Sequence, residues 1–171
     1  VKMPIPQDLP DPPQPIDASD GGCDDEPQCR TYSAWKRQHP AIEIGREDGI
    51  SDNGQEVYNL LQSKGIKILL IIGVATNMCI LGRAFAVKPM TCLGIDCVLV
   101  RDLTDAMYNP RMAPYVSHQA GTKLAIQYIE KYLHTSKKLY YNTSCYEPIR
   151  RPIGKTAFRI ENICDFACVT L

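Results

Sequence analysis

The stretch Ile66-Lys67-Ile68-Leu69-Leu70-Ile71-Ile72-Gly73-Val74-Ala75-Thr76-Asn77-Met78-Cys79 decides how the chain is read. Residues 66–72 are a nearly unbroken run of β-branched residues and Leu without alternation. That pattern suits a strand covered on both faces in a parallel sheet. Gly73 to Asn77 then reads as a turn, and a helix is expected from Met78 towards Leu93, with Pro89 kinking or ending it early. One thiol, Cys79, therefore follows the strand directly and opens the helix.

Working outward, Gly94 punctuates the chain and Asp96 to Val100 reads as a second strand. A loop through Asp102, Asp105 and Asn109-Pro110 follows. Gly121 to Leu133 predicts an amphipathic helix with Leu124, Ala125, Tyr128, Ile129 and Tyr132 on its apolar face, and His118 near its cap. Upstream, a helix is expected from Ser51–Gln55, where Asp52 and Gln55 are spaced like a capping box, to about Lys64. Val57, Leu60 and Leu61 share its face, and Gly65 stands where a left-handed cap belongs. Ala41 to Ile44 reads as a short strand. Strand and helix alternating in this order predict an α/β domain with a parallel sheet over 41–133. Too few strands are visible for such a sheet, so a further strand is expected upstream of Val1.

The two ends read differently. Residues 1–40 form a Pro-rich acidic arm: by about residue 30 it holds seven of the thirteen prolines, with seven acids from Asp8 to Glu26 and few large apolar side chains. It is expected to be extended, with Asp20-Gly21-Gly22 as a turn, and unable to cover a core. Residues 134–171, with Lys137-Lys138 and Arg150-Arg151, read as a basic appendage without sustained periodicity.

The chain has 171 residues, 19 Lys+Arg against 19 Asp+Glu, and 44% hydrophobic residues, so no net charge draws it to nucleic acid or an anionic membrane. No apolar run is long enough to span a bilayer. Of eight cysteines, Cys79, Cys92 and Cys97 lie in apolar or helical contexts, which favours reduced thiols over a bridged scaffold and a cytoplasmic location. Cys23 with Cys29 and Cys164 with Cys168 lack the spacing and accompanying His of a zinc site, so no metal is expected.

The carboxyl end of a parallel strand is where open α/β sheets bind ligands. Unpaired N–H groups at the first turn of a helix favour a thiolate and the oxyanion formed when it attacks a carbonyl. A helix end is not sufficient. Bringing an ordinary thiol from about 8.5 to about 6.5 takes about 2.7 kcal/mol, whereas a terminus supplies about 0.3–1. A base or cation must help. The alternative is a Cys79 packed simply as a small apolar residue. Cys92, late in a helix, and Cys97, inside a strand, read as packing residues.

The run Gly73-Val74-Ala75-Thr76-Asn77-Met78-Cys79-Ile80, followed by a helix, Gly94 and the strand ending Val98-Leu99-Val100-Arg101-Asp102, resembles the isochorismatase-like cysteine hydrolases. The resemblance spans about Ile42 to Leu133, roughly the C-terminal half of that fold. It implies a doubly wound, three-layer α/β/α sandwich and a Cys–Asp–Lys triad that cleaves a small amide, ureide or related substrate through a covalent intermediate. On it, Cys79 is the nucleophile, the Ala75 and Cys79 N–H groups form the oxyanion hole, and Val74–Ala75 is a cis peptide. Thr76, Asn77, Trp35 and Tyr108 are expected to line the substrate pocket.

The sequence departs from the family at the other two triad positions. No Asp follows an apolar D-x-Q strand, and the Lys segment holds Glu43 and Arg46 instead. Glu43 is the candidate base and Arg46 a candidate cation. His39, His118 and His134 lack the D-x-H spacing of the metal site in nicotinamidase-type relatives, so no cofactor is expected. The partners expected are a small-molecule substrate and a second copy of the chain, with no nucleic acid and no membrane. The competing expectation is a non-catalytic or fragmentary family member serving as a binding or oligomerisation module.

Overall fold

The computed structural model describes residues 2–27 and 43–133 together with the backbone of 166–170. Its elements run α1 (Gly54–Ser63), β1 (Ile68–Val74), α2 (Cys79–Gly82), α3 (Val87–Cys92), β2 (Asp96–Asp105), α4 (His118–Tyr132) and β3 (Phe166–Thr170). The chain is a mixed α/β protein. The three strands among the described residues form one parallel sheet in the order β2-β1-β3. The apolar run is thus the central strand, and both of its faces are covered. Leu69 and Ile71 join Cys97 and Leu99 of β2 in the main core cluster, while Leu70, Val98 and Val100, which alternate with them, are buried on the other side.

The helices supply most of the rest of that cluster, including Tyr58 and Leu61 from α1, Ile80 and Leu81 from α2, Val87 and Met90 from α3, and Ile126, Tyr128 and Ile129 from α4. Leu60, expected on the buried face of α1, is over a third exposed, and Tyr58 takes its place. The cap of α1 is Asn53, whose side chain accepts from Gln55 N and Glu56 N, in place of the expected Asp52–Gln55 box. Gly65 does adopt the left-handed conformation, at φ 65°.

The helix expected from Met78 to Leu93 is two. The break falls at 83–86, ahead of Pro89. Pro89 sits in the first turn of α3, where its missing N–H would have no intrahelical partner in any case. At the next helix Ser117 is the cap, its hydroxyl accepting from Ala120 N, and His118 is the first helical residue.

β2 runs five residues beyond the expected Val100. Its register with β1 slips after Ile71↔Leu99 and resumes at Gly73↔Thr104 and Val74↔Asp105. The slip carries Thr104 and Asp105 to the carboxyl end of β1, next to the turn that holds Cys79. Two other expectations are corrected. Glu43 and Ile44 are not in a strand and are exposed, residues 41 and 42 lying outside the described ones. The C-terminal region, read as an appendage, contributes β3 to the sheet.

The acidic arm is also docked. Ile16 is 5% exposed, in a second cluster with Ala106, Tyr108 and Ala125, and Met3 and Leu9 pack against the main one. Polar contacts hold the rest of this strap. Gln7 N donates to Cys92 O and Asp17 N to Ala113 O, each at 2.8 Å, and the Tyr128 hydroxyl donates to Pro12 O at 2.8 Å. Lys88 pairs with Asp11 at 2.6 Å. Prolines limit the conformational entropy lost on docking, so a few anchors suffice. The turn at Asp20 is present, with Gly22 N donating to Asp20 Oδ1 and Gly21 and Gly22 at positive φ.

Candidate active site

At the end of β1 the chain turns through Ala75, a residue with a Cβ held at φ 64°. A left-handed conformation costs such a residue about 1–2 kcal/mol, so its neighbours must fix it. Ala75 O accepts from Met78 N at 2.9 Å and Ile80 N at 3.1 Å, and Thr76 N donates to Asp105 O at 2.9 Å. Thr76 is fully buried, its hydroxyl 2.6 Å from that of Thr104. The buried Asn77 side chain clasps one residue of the neighbouring loop: Oδ1 accepts from Met107 N at 2.9 Å and Nδ2 donates to Met107 O at 3.0 Å. The Asn77 carbonyl in turn accepts from Gln14 Nε2 of the strap at 3.0 Å.

This turn delivers Cys79, half-buried and free, as the first residue of α2. The other free thiols are placed differently. Cys97 is 1% exposed inside β2, and burial pushes its thiol up to about 12. Cys92 ends α3. Cys23 is disulfide-bonded, while Cys79, Cys92 and Cys97, whose contexts carried the expectation of reduced thiols, are free.

The Val74–Ala75 bond is trans, since the cis bonds among the described residues are Glu26–Pro27 and Ala113–Pro114. The unusual geometry at this point is the φ of Ala75 instead. Glu43 and Arg46 are exposed in the segment before α1. Among the described residues no carboxylate or cation is hydrogen-bonded or ion-paired to the Cys79 sulfur. Of the residues expected to line a pocket, Thr76 and Asn77 spend their polar atoms on Thr104 and Met107. Tyr108 is 0% exposed, its hydroxyl donating to Met112 O at 2.8 Å and accepting from Val116 N at 3.3 Å. It packs within the fold. Trp35, Cys29, His39 and His134 lie outside the described residues.

A carboxylate–histidine pair does stand one strand away. Asp105 Oδ1 accepts from Thr122 Oγ1 at 2.7 Å, Ala106 N at 3.0 Å and His118 Nε2 at 3.0 Å, while His118 Nδ1 donates to Tyr108 O at 2.9 Å. Both ring nitrogens therefore face acceptors, and the imidazolium satisfies both. Partial burial opposes the charge on His118, but the bonds to Tyr108 O and Asp105 outweigh it and raise its pKa. Partial burial likewise opposes ionisation of Asp105, and the Thr122 and His118 contacts outweigh it and hold the carboxyl below its ordinary value. Reading the sequence missed this cluster, because a partner thirteen residues along obeys no helix or strand period.

A cavity of about 320 Å³, lined by Gln62, Gly65, Lys67, Gly94 and Asp96 among others, lies where β1 and β2 begin, at the opposite end of the sheet from Cys79. Among the described residues no cluster of His, Cys, Asp and Glu could hold a metal ion, and no helix is long and apolar enough to cross a membrane. No protein-family model, curated protein or solved structure matches the chain.

Proposed function

We propose that the chain is a cysteine hydrolase of the isochorismatase-like kind, acting on a small amide, ureide or related molecule, with Cys79 as nucleophile. The observation that carries the reading is the presentation of Cys79: a half-buried free thiol delivered by a strained, heavily hydrogen-bonded turn at the carboxyl end of the central parallel strand. The sulfur attacks the substrate carbonyl and its proton passes to a base. The amine leaves protonated, and water then cleaves the thioester to release the acid and restore the thiol. The Ala75 and Cys79 N–H groups are the assigned oxyanion donors. A base and a cation must approach the sulfur, with Glu43 the candidate base and Arg46 the candidate cation. It also takes in the doubly wound three-layer sandwich, a homo-oligomer and a cytoplasmic location. The Cys23 bridge opposes that location, since disulfides are rare there.

The second reading, a binding or oligomerisation module, is favoured by the sulfur's lack of a charged partner among the described residues. One experiment separates the two. Turnover of a panel of amides and ureides, abolished in Cys79→Ala with folding retained, supports the hydrolase. Inertness of the whole panel, or turnover equal in the variant, overturns it.

A further inference from the structure

The peptide unit Asn77–Met78 stands immediately ahead of the unit that bears the Cys79 N–H. Both of its polar ends are tied: Met78 N donates to Ala75 O at 2.9 Å, and the Asn77 carbonyl accepts from Gln14 Nε2 at 3.0 Å. The first tie is local. The second comes from 63 residues away, on a strap whose docking rests on other anchors. Ile16 is buried beside Tyr108 and Ala125, Tyr128 holds Pro12 O, Asn109 Nδ2 donates to Asp20 Oδ2 at 2.9 Å, and a Cβ on Gly22 would stand 2.5 Å from the Met107 carbonyl. Gln14 is itself an exposed residue, so its side chain is not what buries the strap.

We infer that Gln14 is a positioning residue for the nucleophile turn, acting through the Asn77 carbonyl to fix the plane from which Met78 and Cys79 are presented. The inference rests on the hydrolase reading and names a part of the chain that reading does not use. With the Gln14 amide removed, the Asn77–Met78 plane is held at one end, and the Cys79 sulfur and N–H lose their shared orientation. An orientation error at a reacting centre lowers kcat more than it weakens substrate binding.

The test compares Gln14→Met, which keeps length and removes the donor, and Gln14→Glu, which sets an acceptor against the carbonyl, with Gln14→Lys, which restores a donor. Gln7→Ala is the control, because Gln7 contributes its backbone N–H to the docking. Amide hydrogen exchange at Met78–Ile80 is expected to quicken about three- to tenfold in the first two variants, the range of one lost hydrogen bond. In the same variants kcat should fall by a similar factor with KM within about twofold, Lys should recover at least half of the loss, and the control should match the wild type. Unchanged exchange, or faster exchange with unchanged kcat, overturns the positioning role alone. Wild-type protein inert towards every amide and ureide overturns the hydrolase reading and the positioning role together.

Discussion

Two segments leave the sheet side by side at its carboxyl end. From the end of β2 to the start of α4 the polar groups are spent: Asp105, Tyr108, His118 and Thr122 are bonded to one another or to backbone, and Met107 is clasped by Asn77. The turn after β1 is equally well fixed up to Asn77, but it ends on a sulfur to which no described charged group is hydrogen-bonded or ion-paired. The comparison separates scaffold from chemistry. A satisfied polar network holds the fold in place, whereas on the hydrolase reading a fixed thiol left out of that network is the atom that reacts.

The sharpest break of that comparison is Cys79→Ala. On the hydrolase reading turnover falls by at least about 10³-fold. The thermal midpoint should change little, because Cys79 lies outside both core clusters. A variant that keeps its turnover would place the turn among the scaffold elements too.

The next effect belongs to the loop. A Cβ on Gly121 would lie 2.3 Å from Cδ1 of the fully buried Tyr108, so Gly121→Ala forces α4 away from the ring that anchors the loop. Overpacking of this kind costs about 1–3 kcal/mol, which denaturant titration would register. An unaltered midpoint would mean that Tyr108 can move aside, and the loop would not be the rigid half of the pair.

The smallest effect is that of the Asp105–His118 pair, whose side chains are 56% and 39% exposed. His118 is raised, so its contribution is complete below the unfolded value near 6.5 and is lost as pH rises through its higher folded value. Asp105 is lowered, so its contribution is present above the unfolded value near 3.9 and is lost as pH falls through its folded one. Between pH 6 and 9 the wild type should therefore lose up to about 1 kcal/mol that His118→Gln does not lose, the size of an exposed pair. Parallel stability curves for the two proteins would show that the imidazolium does not act.

The apolar run of β1, the strand at Asp96, the cap at Gly65 and the helix near Gly121 were legible because each follows from local periodicity or from one residue's backbone freedom. The turn that ends on Cys79 was legible as a turn. What escaped reading is what depends on distant partners. Ile16 is a lone apolar residue among prolines, and nothing local says that it fills the space beside Tyr108. The register slip that brings Asp105 to the site arises between strands. The break at 83–86 directly follows Gly82, which was not read as a helix end. Thr76, Asn77 and Tyr108 were expected to line a pocket; in the fold Thr76 and Asn77 bond Thr104 and Met107, and Tyr108 bonds within the loop after β2.

The central claim concerns the reactivity of a single thiol, and timed alkylation with iodoacetamide near pH 7, with adducts mapped by mass spectrometry, tests it most directly. The account predicts that Cys79 is modified first, ahead of Cys92, with Cys97 silent in the folded protein, and that turnover is lost in proportion to Cys79 modification. Labelling of Cys79 no faster than that of Cys92, or turnover that survives its complete alkylation, would contradict it.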